Sequence, residues 1–210
     1  ARFVILGIVV LAALAAGIPA CRHFLLRLPA QAIVVPQPAV PSCDIVVIAV
    51  DADGAGALSA ADLVQRGVAH RVAVFSDPPG PVDREFLRRG IPYYNAAATT
   101  VGQLRQLGVA DVEIIPRAVG GSADEGSLLP EWCDRNHFRS VVLVVNSDHG
   151  RRLQRIMRRT MRGHSATVIV YPSPYTGFDP DSWWQTHDGA RTLIPEFQKL
   201  VMDVLRHPFS

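Results

Sequence analysis

The sequence predicts an α/β protein: a Rossmann-like three-layer domain with a mostly parallel sheet, preceded by one N-terminal transmembrane helix. Three observations carry this expectation. Five short runs rich in valine and isoleucine are apolar almost throughout, as strands covered on both faces are. Segments of helical periodicity separate them, and a β-α-β succession demands parallel strands joined by crossover helices. An uncharged stretch precedes the whole series.

That stretch, "FVILGIVVLAALAAGIPA", runs from Phe3 to Ala20 between Arg2 and Arg22. As a helix it spans roughly 27 Å at about 1.5 Å per residue, close to the hydrocarbon thickness of a bilayer. A buried core helix of this composition would need apolar partners all round, so residues 1–21 read as a transmembrane signal-anchor. "GIPAC" around Cys21 loosely resembles a lipoprotein cleavage box, but Pro19 fits that pattern badly and an uncleaved anchor is expected. Positive charge flanks both ends, so charge asymmetry leaves the orientation open. Residues 22–43, including "PAQAIVVPQPAVPS", read as an extended Pro-rich linker, and the folded domain occupies 44–210.

Within that domain, strands are predicted at 44–50, 71–76, 112–115, 140–146 and 167–172. Helices are predicted near 57–67, 80–90, 98–107, 123–137, 149–162 and 183–206. The chain of 210 residues is 49% hydrophobic and 19% charged, which excludes disorder, and its net charge of +2 gives no general case for nucleic acid. Cys21, Cys43 and Cys133 are too few and too irregular for a zinc site or a disulfide framework. Cys43 and Cys133 could pair in an oxidising compartment, but separate small apolar residues are the favoured reading, and the residue pattern specifies neither a metal centre nor a cofactor.

Open α/β sheets bind ligands beyond the carboxyl ends of their strands. The segments there are Asp51-Ala52-Asp53-Gly54, Ser76-Asp77, Gly120-Gly121-Ser122 and Asn146-Ser147-Asp148-His149. Gly54-x-Gly56 opens a helix and would suit a phosphate, but Ser59 replaces the third glycine of a dinucleotide motif and the aspartates repel a pyrophosphate. The same two aspartates could hold a hard cation such as Mg²⁺, with no further ligand pattern in support. Ser122-x-x-Glu125 has capping-box spacing and would sit at the rim of the cleft. His149 is the group best able to move protons near neutral pH; Ser147 lacks a nucleophile-elbow context, and Asp148 stands where it can orient the imidazole. Arg151, Arg152, Arg155, Arg158, Arg159 and Arg162 follow on one helical face. Arg152 can turn to the cleft and hold an anion, and the rest read as solvated or as facing anionic headgroups.

Taken together, these residues resemble the YdcF-like family of SanA- and ElyC-type envelope proteins. "NSDHGRR" is similar to that family's T-S-x-x-H-x-x-R motif at Ser147, His149 and Arg152, with one spacer residue fewer between Ser and His. Ser122 with Glu125 fits its Thr/Ser-x-x-Glu element, and Trp183, Glu196 and Lys199 match its closing Trp-x-x-Ser…Glu-x-x-Lys pattern. "VDADGAGAL" and "SDPPG" stand where the family carries Gly-Gly-rich and Ser-Gly-Gly turns, so the resemblance does not extend to those turns.

The resemblance implies a Rossmann-like domain behind a membrane segment, on the extracytoplasmic side of the cell membrane and linked to envelope or peptidoglycan processes. The leading expectation is therefore a membrane-anchored domain binding an anionic small molecule, a nucleotide or a lipid-linked sugar phosphate. Its catalytic candidates are His149 and Glu125; Asp51, Asp53, Gly54, Ser76, Ser122, Asn146, Ser147 and Arg152 are its candidate binding residues. Two alternatives stand beside it: a non-catalytic envelope scaffold using the arginine face, and a cytoplasm-facing nucleotide or S-adenosylmethionine binder using Gly54 and Gly56.

Overall fold

Five parallel strands form the centre of the protein, seen in a computed structural model that describes residues 19–93 and 95–210. In chain order the elements are α1 (Pro19–Ile33), β1 (Ile45–Ile48), α2 (Asp53–Gln65), β2 (Arg71–Val74), α3 (Pro81–Arg88) and α4 (Ala96–Gln106). They continue with β3 (Asp111–Ile114), α5 (Ser122–Asn136), β4 (Ser140–Val145), α6 (Gly150–Thr160), β5 (Thr167–Pro172) and α7 (His187–Arg206). Short 3-10 turns at Ser147–His149 and Trp183–Gln185 lead into α6 and α7. Strand order is β3-β2-β1-β4-β5 with every pairing parallel, which fits the Rossmann-like expectation.

Register follows from apolar content. Val46 pairs with Val72 on one side and Val142 on the other, so the central strand is flanked by β-branched neighbours and buried on both faces. The chain runs outward from β1 in one direction through β2 and β3, then returns to β4 and runs the other way. Right-handed crossovers therefore place the helices of the two halves on opposite faces. The adjacent, hydrogen-bonded strands β1 and β4 lie at this reversal, and the connections leaving their carboxyl ends run to opposite sides, which leaves a crevice, the usual ligand position of such sheets.

One correction concerns the front of the chain. The segment expected to be an extended linker is helical from Pro19 to Ile33, because Ala30 and Ile33 bury against Leu193 and Leu200 of α7. Trp183 fastens the same helix by donating its indole N–H to the Leu26 carbonyl at 2.7 Å. Only beyond Ile33 is the chain extended, as its prolines require. The predicted signal-anchor at Phe3–Ala20 lies almost wholly outside the described residues, and among the described residues no helix is long and apolar enough to cross a membrane.

Gly56 shows how closely α2 sits on the sheet. A Cβ there would stand 2.5 Å from Ile48 Cγ2 and 2.9 Å from Ala52 Cβ. Its role is helix–strand contact, and no phosphate need be invoked for it. Gly56→Ala is expected to cost about 1–3 kcal/mol through overpacking; a urea titration should show a lower midpoint at unchanged slope.

The arginine face of α6 is neither solvated nor aimed at a membrane along most of its length. Arg155 Nε and Arg159 Nη2 reach Asp203 of α7 at 2.8 and 3.2 Å. Arg155 also donates to the carbonyls of His207 and Ser210, and Arg162 to that of Phe209. These arginines hold the C-terminal segment in place, which removes the observation that favoured a scaffold.

Candidate functional site

His149 lies at the crevice between β1 and β4, placed there by the turn that ends β4. Its Nε2 is 3.2 Å from Asp51 Oδ2 and 3.1 Å from Glu196 Oε1, and its Nδ1 is 3.1 Å from Asp148 Oδ2. One N–H cannot be shared well between two carboxylates, so Nε2 has a surplus of acceptors. Nδ1 is buried and, despite the nearby Asp148 oxygen, finds no aligned hydrogen-bond partner. Burial by itself would lower the imidazole's affinity for a proton. The Glu196 contact and the Asp51 and Asp148 carboxylates outweigh it, so the His149 pKa lies above its ordinary value of 6.5.

Asp51 reaches the histidine because the backbone behind it is fixed twice. Asn146 Nδ2 donates to the Asp51 carbonyl at 2.6 Å, and the neighbouring Val50 N–H donates to Glu125 Oε1 at 2.7 Å. Glu125 is wholly buried on the first turn of α5. This differs from the expected capping box: Gly121, at φ 140°, takes the N-cap position, and no side chain caps the helix there. Ser122 is the first helical residue, and Asp124 instead accepts from Gly120 N–H at 2.9 Å. Glu125 turns to the sheet, where Val50 would otherwise leave a buried donor unpaired.

Desolvation pushes the Glu125 carboxyl up to about 7, with the Val50 N–H bond acting against it. Its value in the folded chain exceeds the ordinary 4.5, so the associated stability is fully present below about pH 4.5 and is lost as pH rises through about 7. Relative to the parent chain, Glu125→Gln should therefore gain about 2.5 kcal/mol between pH 5 and pH 8. Paired urea titrations at the two pH values check this; a constant difference would contradict it.

Glu196, from the inner face of α7, completes the cluster. Arg152 Nη2 meets its Oε2 at 2.8 Å, and Lys199 Nζ meets its Oε1 at 2.6 Å. Burial opposes ionisation, but the bond to His149, the imidazolium charge, Lys199 and Arg152 together hold its pKa down at about 2. Asp148, 7% exposed, is raised by burial, with the imidazole acting against that rise.

The Asp51–His149 pair is the wall between two clefts. One, of about 580 Å³, is lined by Gly120, Gly121, Ser122, Asp124, Arg152 and Lys199, combining the N-terminus of a 15-residue helix with two cations that both also meet Glu196. The other, of about 610 Å³, carries Asp53, Asp148 and Asp188 with Thr176, Thr192, Tyr175 and Phe178. At its mouth Asp53 takes φ 38°, a conformation unfavourable for a side chain with a Cβ, and its pKa is raised by burial and by Asp51 and Asp77.

Most predicted site residues are brought together here: His149, Glu125, Asp51, Asp53, Ser122, Asn146 and Arg152. Three are not. Ser76 is buried away from both clefts at the end of β2, where its carbonyl accepts from Val119 N–H. Gly54 lines a separate cavity with Leu58, Gln103 and Gln106. Ser147 faces Thr176 at 2.6 Å, hydroxyl to hydroxyl, and lines neither cleft. No group of three or more His, Cys, Asp or Glu among the described residues is arranged to hold a metal ion. The cysteines are unpaired, and burial pushes the Cys133 thiol up to about 12.

Glu196 is the member of this cluster that reasoning from the local strand ends missed. Its signal was a carboxylate in the middle of the Leu193-Glu196-Leu200 stripe, the buried face of α7. Comparison with family models, with curated proteins and with solved structures finds no match.

Proposed function

We propose that this chain is a membrane-anchored, envelope-associated domain of the YdcF-like type that binds an anionic small molecule and transfers protons on it. The anion is the phosphate of a nucleotide or of a lipid-linked sugar phosphate, and the setting is cell-wall or envelope biogenesis outside the cytoplasm. One observation carries the reading. Of five buried side-chain atoms without a hydrogen-bond partner among the described residues, three converge at the crevice: Asp51 Oδ1, Glu125 Oε2 and His149 Nδ1. Buried polar atoms are normally paired, so such a concentration points to groups kept for a ligand or a proton.

The division of labour follows from charge. The Arg152–Lys199 cleft, with its glycine turn and helix N-terminus, takes the phosphate. Carboxylates, threonines and aromatic rings in the other cleft suit the hydroxyls and the apolar face of a sugar, which favours the sugar phosphate. His149, with its proton affinity raised by its carboxylates, donates a proton to an oxygen leaving phosphorus, and Asp51 Oδ1 accepts one from the attacking hydroxyl or water. Glu125 is a positioning residue in this scheme, acting through Val50 and Asp51.

Calorimetry on the full chain in detergent, with inorganic phosphate and a nucleoside diphosphate sugar as probes, tests the binding half. Lys199 is half exposed, so its removal should leave the fold intact. Lys199→Ala is expected to weaken phosphate binding about tenfold, the loss of one charge-assisted contact. Equal affinity in parent and variant, or no binding of either probe, would contradict the reading.

A further inference from the structure

We propose that the outer face of α7 lies in the headgroup layer of the bilayer, so that one helix carries site residues inward and lipid contacts outward. This rests on the membrane-anchored reading above and extends it by fixing which face meets the lipid.

The inner face of α7 is occupied: Leu193, Glu196 and Leu200 are buried. Flanking it, about a third of a turn round the helix, Ile194, Phe197, Val201 and Leu205 recur at spacings of three, four and four, one continuous exposed stripe. These side chains are 62%, 37%, 40% and 76% exposed, with Met202 beside them at 42%. A surface helix normally turns polar residues outward, and this one turns four large apolar residues.

The occupant is a bilayer on two grounds. The uncharged run Phe3–Ala20 leads directly into α1, and α1 packs on α7 through Ala30 and Ile33. An anchor on that run, as the proposed function has it, would bring lipid to α7, and α1 adds exposed Phe24, Leu25 and Leu28. Charge agrees. From Arg191 to Arg206 the only carboxylates of α7 are Glu196 and Asp203, both held inward by arginines of α6, so the exposed charges of this stretch are the cations Arg191, Lys199 and Arg206. Apolar residues beside cations, with no exposed acid, suit an anionic headgroup layer, with such a helix lying about 5–10 Å deep. Glu196 and Lys199 sit on the opposite side of the same helix, so the anion cleft is about one helix diameter from the lipid. A phosphate joined to a lipid chain can reach it there.

The test places a bimane label on the full chain in anionic vesicles containing bromine-labelled lipid. Cys21→Ser and Cys43→Ser remove the accessible thiols, and buried Cys133 stays unreactive. Val201→Cys carries the label, with Glu131→Cys, on exposed α5 surface, as the reference. Quenching at position 201 is expected to exceed that at 131 by about threefold, as interfacial burial of the helix requires. Equal quenching at the two positions in chain that floats with the vesicles would overturn the proposal while leaving the anchor intact. Label self-quenching at 201 without lipid quenching would assign the face to a second copy and overturn it too. Failure of the chain to float would sink both this proposal and the anchored reading. Phosphate binding is read separately, so its failure would leave the labelling result standing.

Discussion

Glu196→Ala is expected to destabilise the protein by about 3–5 kcal/mol, the cost of removing one partner from a buried ion network. Glu196 is 4% exposed and gathers Arg152, Lys199 and His149. Without it Arg152 keeps a buried guanidinium opposite nothing, and His149 loses the contact that most supports its proton. In a chain of this size the loss corresponds to a fall of about 10 °C in melting temperature. The acid limb should change as well. The folded-state Glu196 value of about 2 lies below the ordinary 4.5, so its contribution is present above about pH 4.5 and is lost as pH falls towards 2. The variant should therefore approach the parent's stability in that window. A melting temperature within a degree or two of the parent at pH 7 would show that the network carries little energy.

His149→Gln is expected to act on chemistry, because the glutamine side chain can still occupy the space and donate a hydrogen bond. Loss of a general acid lowers turnover by about 10²–10⁴-fold. Release of nucleoside monophosphate from a nucleoside diphosphate sugar, or of sugar phosphate from a polyprenyl diphosphate sugar, by one P–O cleavage reads the effect. Phosphate affinity in the Lys199 cleft should change far less, which separates a catalytic role from a binding one. Equal turnover in parent and variant would contradict the proton-transfer role of His149.

Periodicity made the fold legible, and strand order decided how much of the site was. Asp51 and His149 were readable as strand-end residues because any parallel sheet delivers them to one edge. Ser76 was equally placed in that logic, yet it lies apart, since the crevice forms between β1 and β4 and β2 is on the far side of β1. Which strands adjoin is a tertiary fact that local patterns do not encode. Glu196 lies 44 residues beyond Arg152, and only the packing of α7 on α6 brings them together. The helix at Pro19–Ile33 was masked by its prolines, whose local preference is overridden once Ala30 and Ile33 find α7. The capping-box reading of Ser122 and Glu125 failed for a related reason: a buried strand-end N–H took the carboxylate the helix would have used.

The titration of His149, followed by NMR of the histidine-labelled full chain without and with inorganic phosphate, tests the central claim most directly. The resonance is assigned by its loss in His149→Gln. The expected result is a midpoint above the ordinary 6.5 that rises further when phosphate fills the adjoining cleft. A midpoint at or below 6.5 that phosphate leaves unmoved would contradict both the proton role of His149 and the placing of an anion beside it.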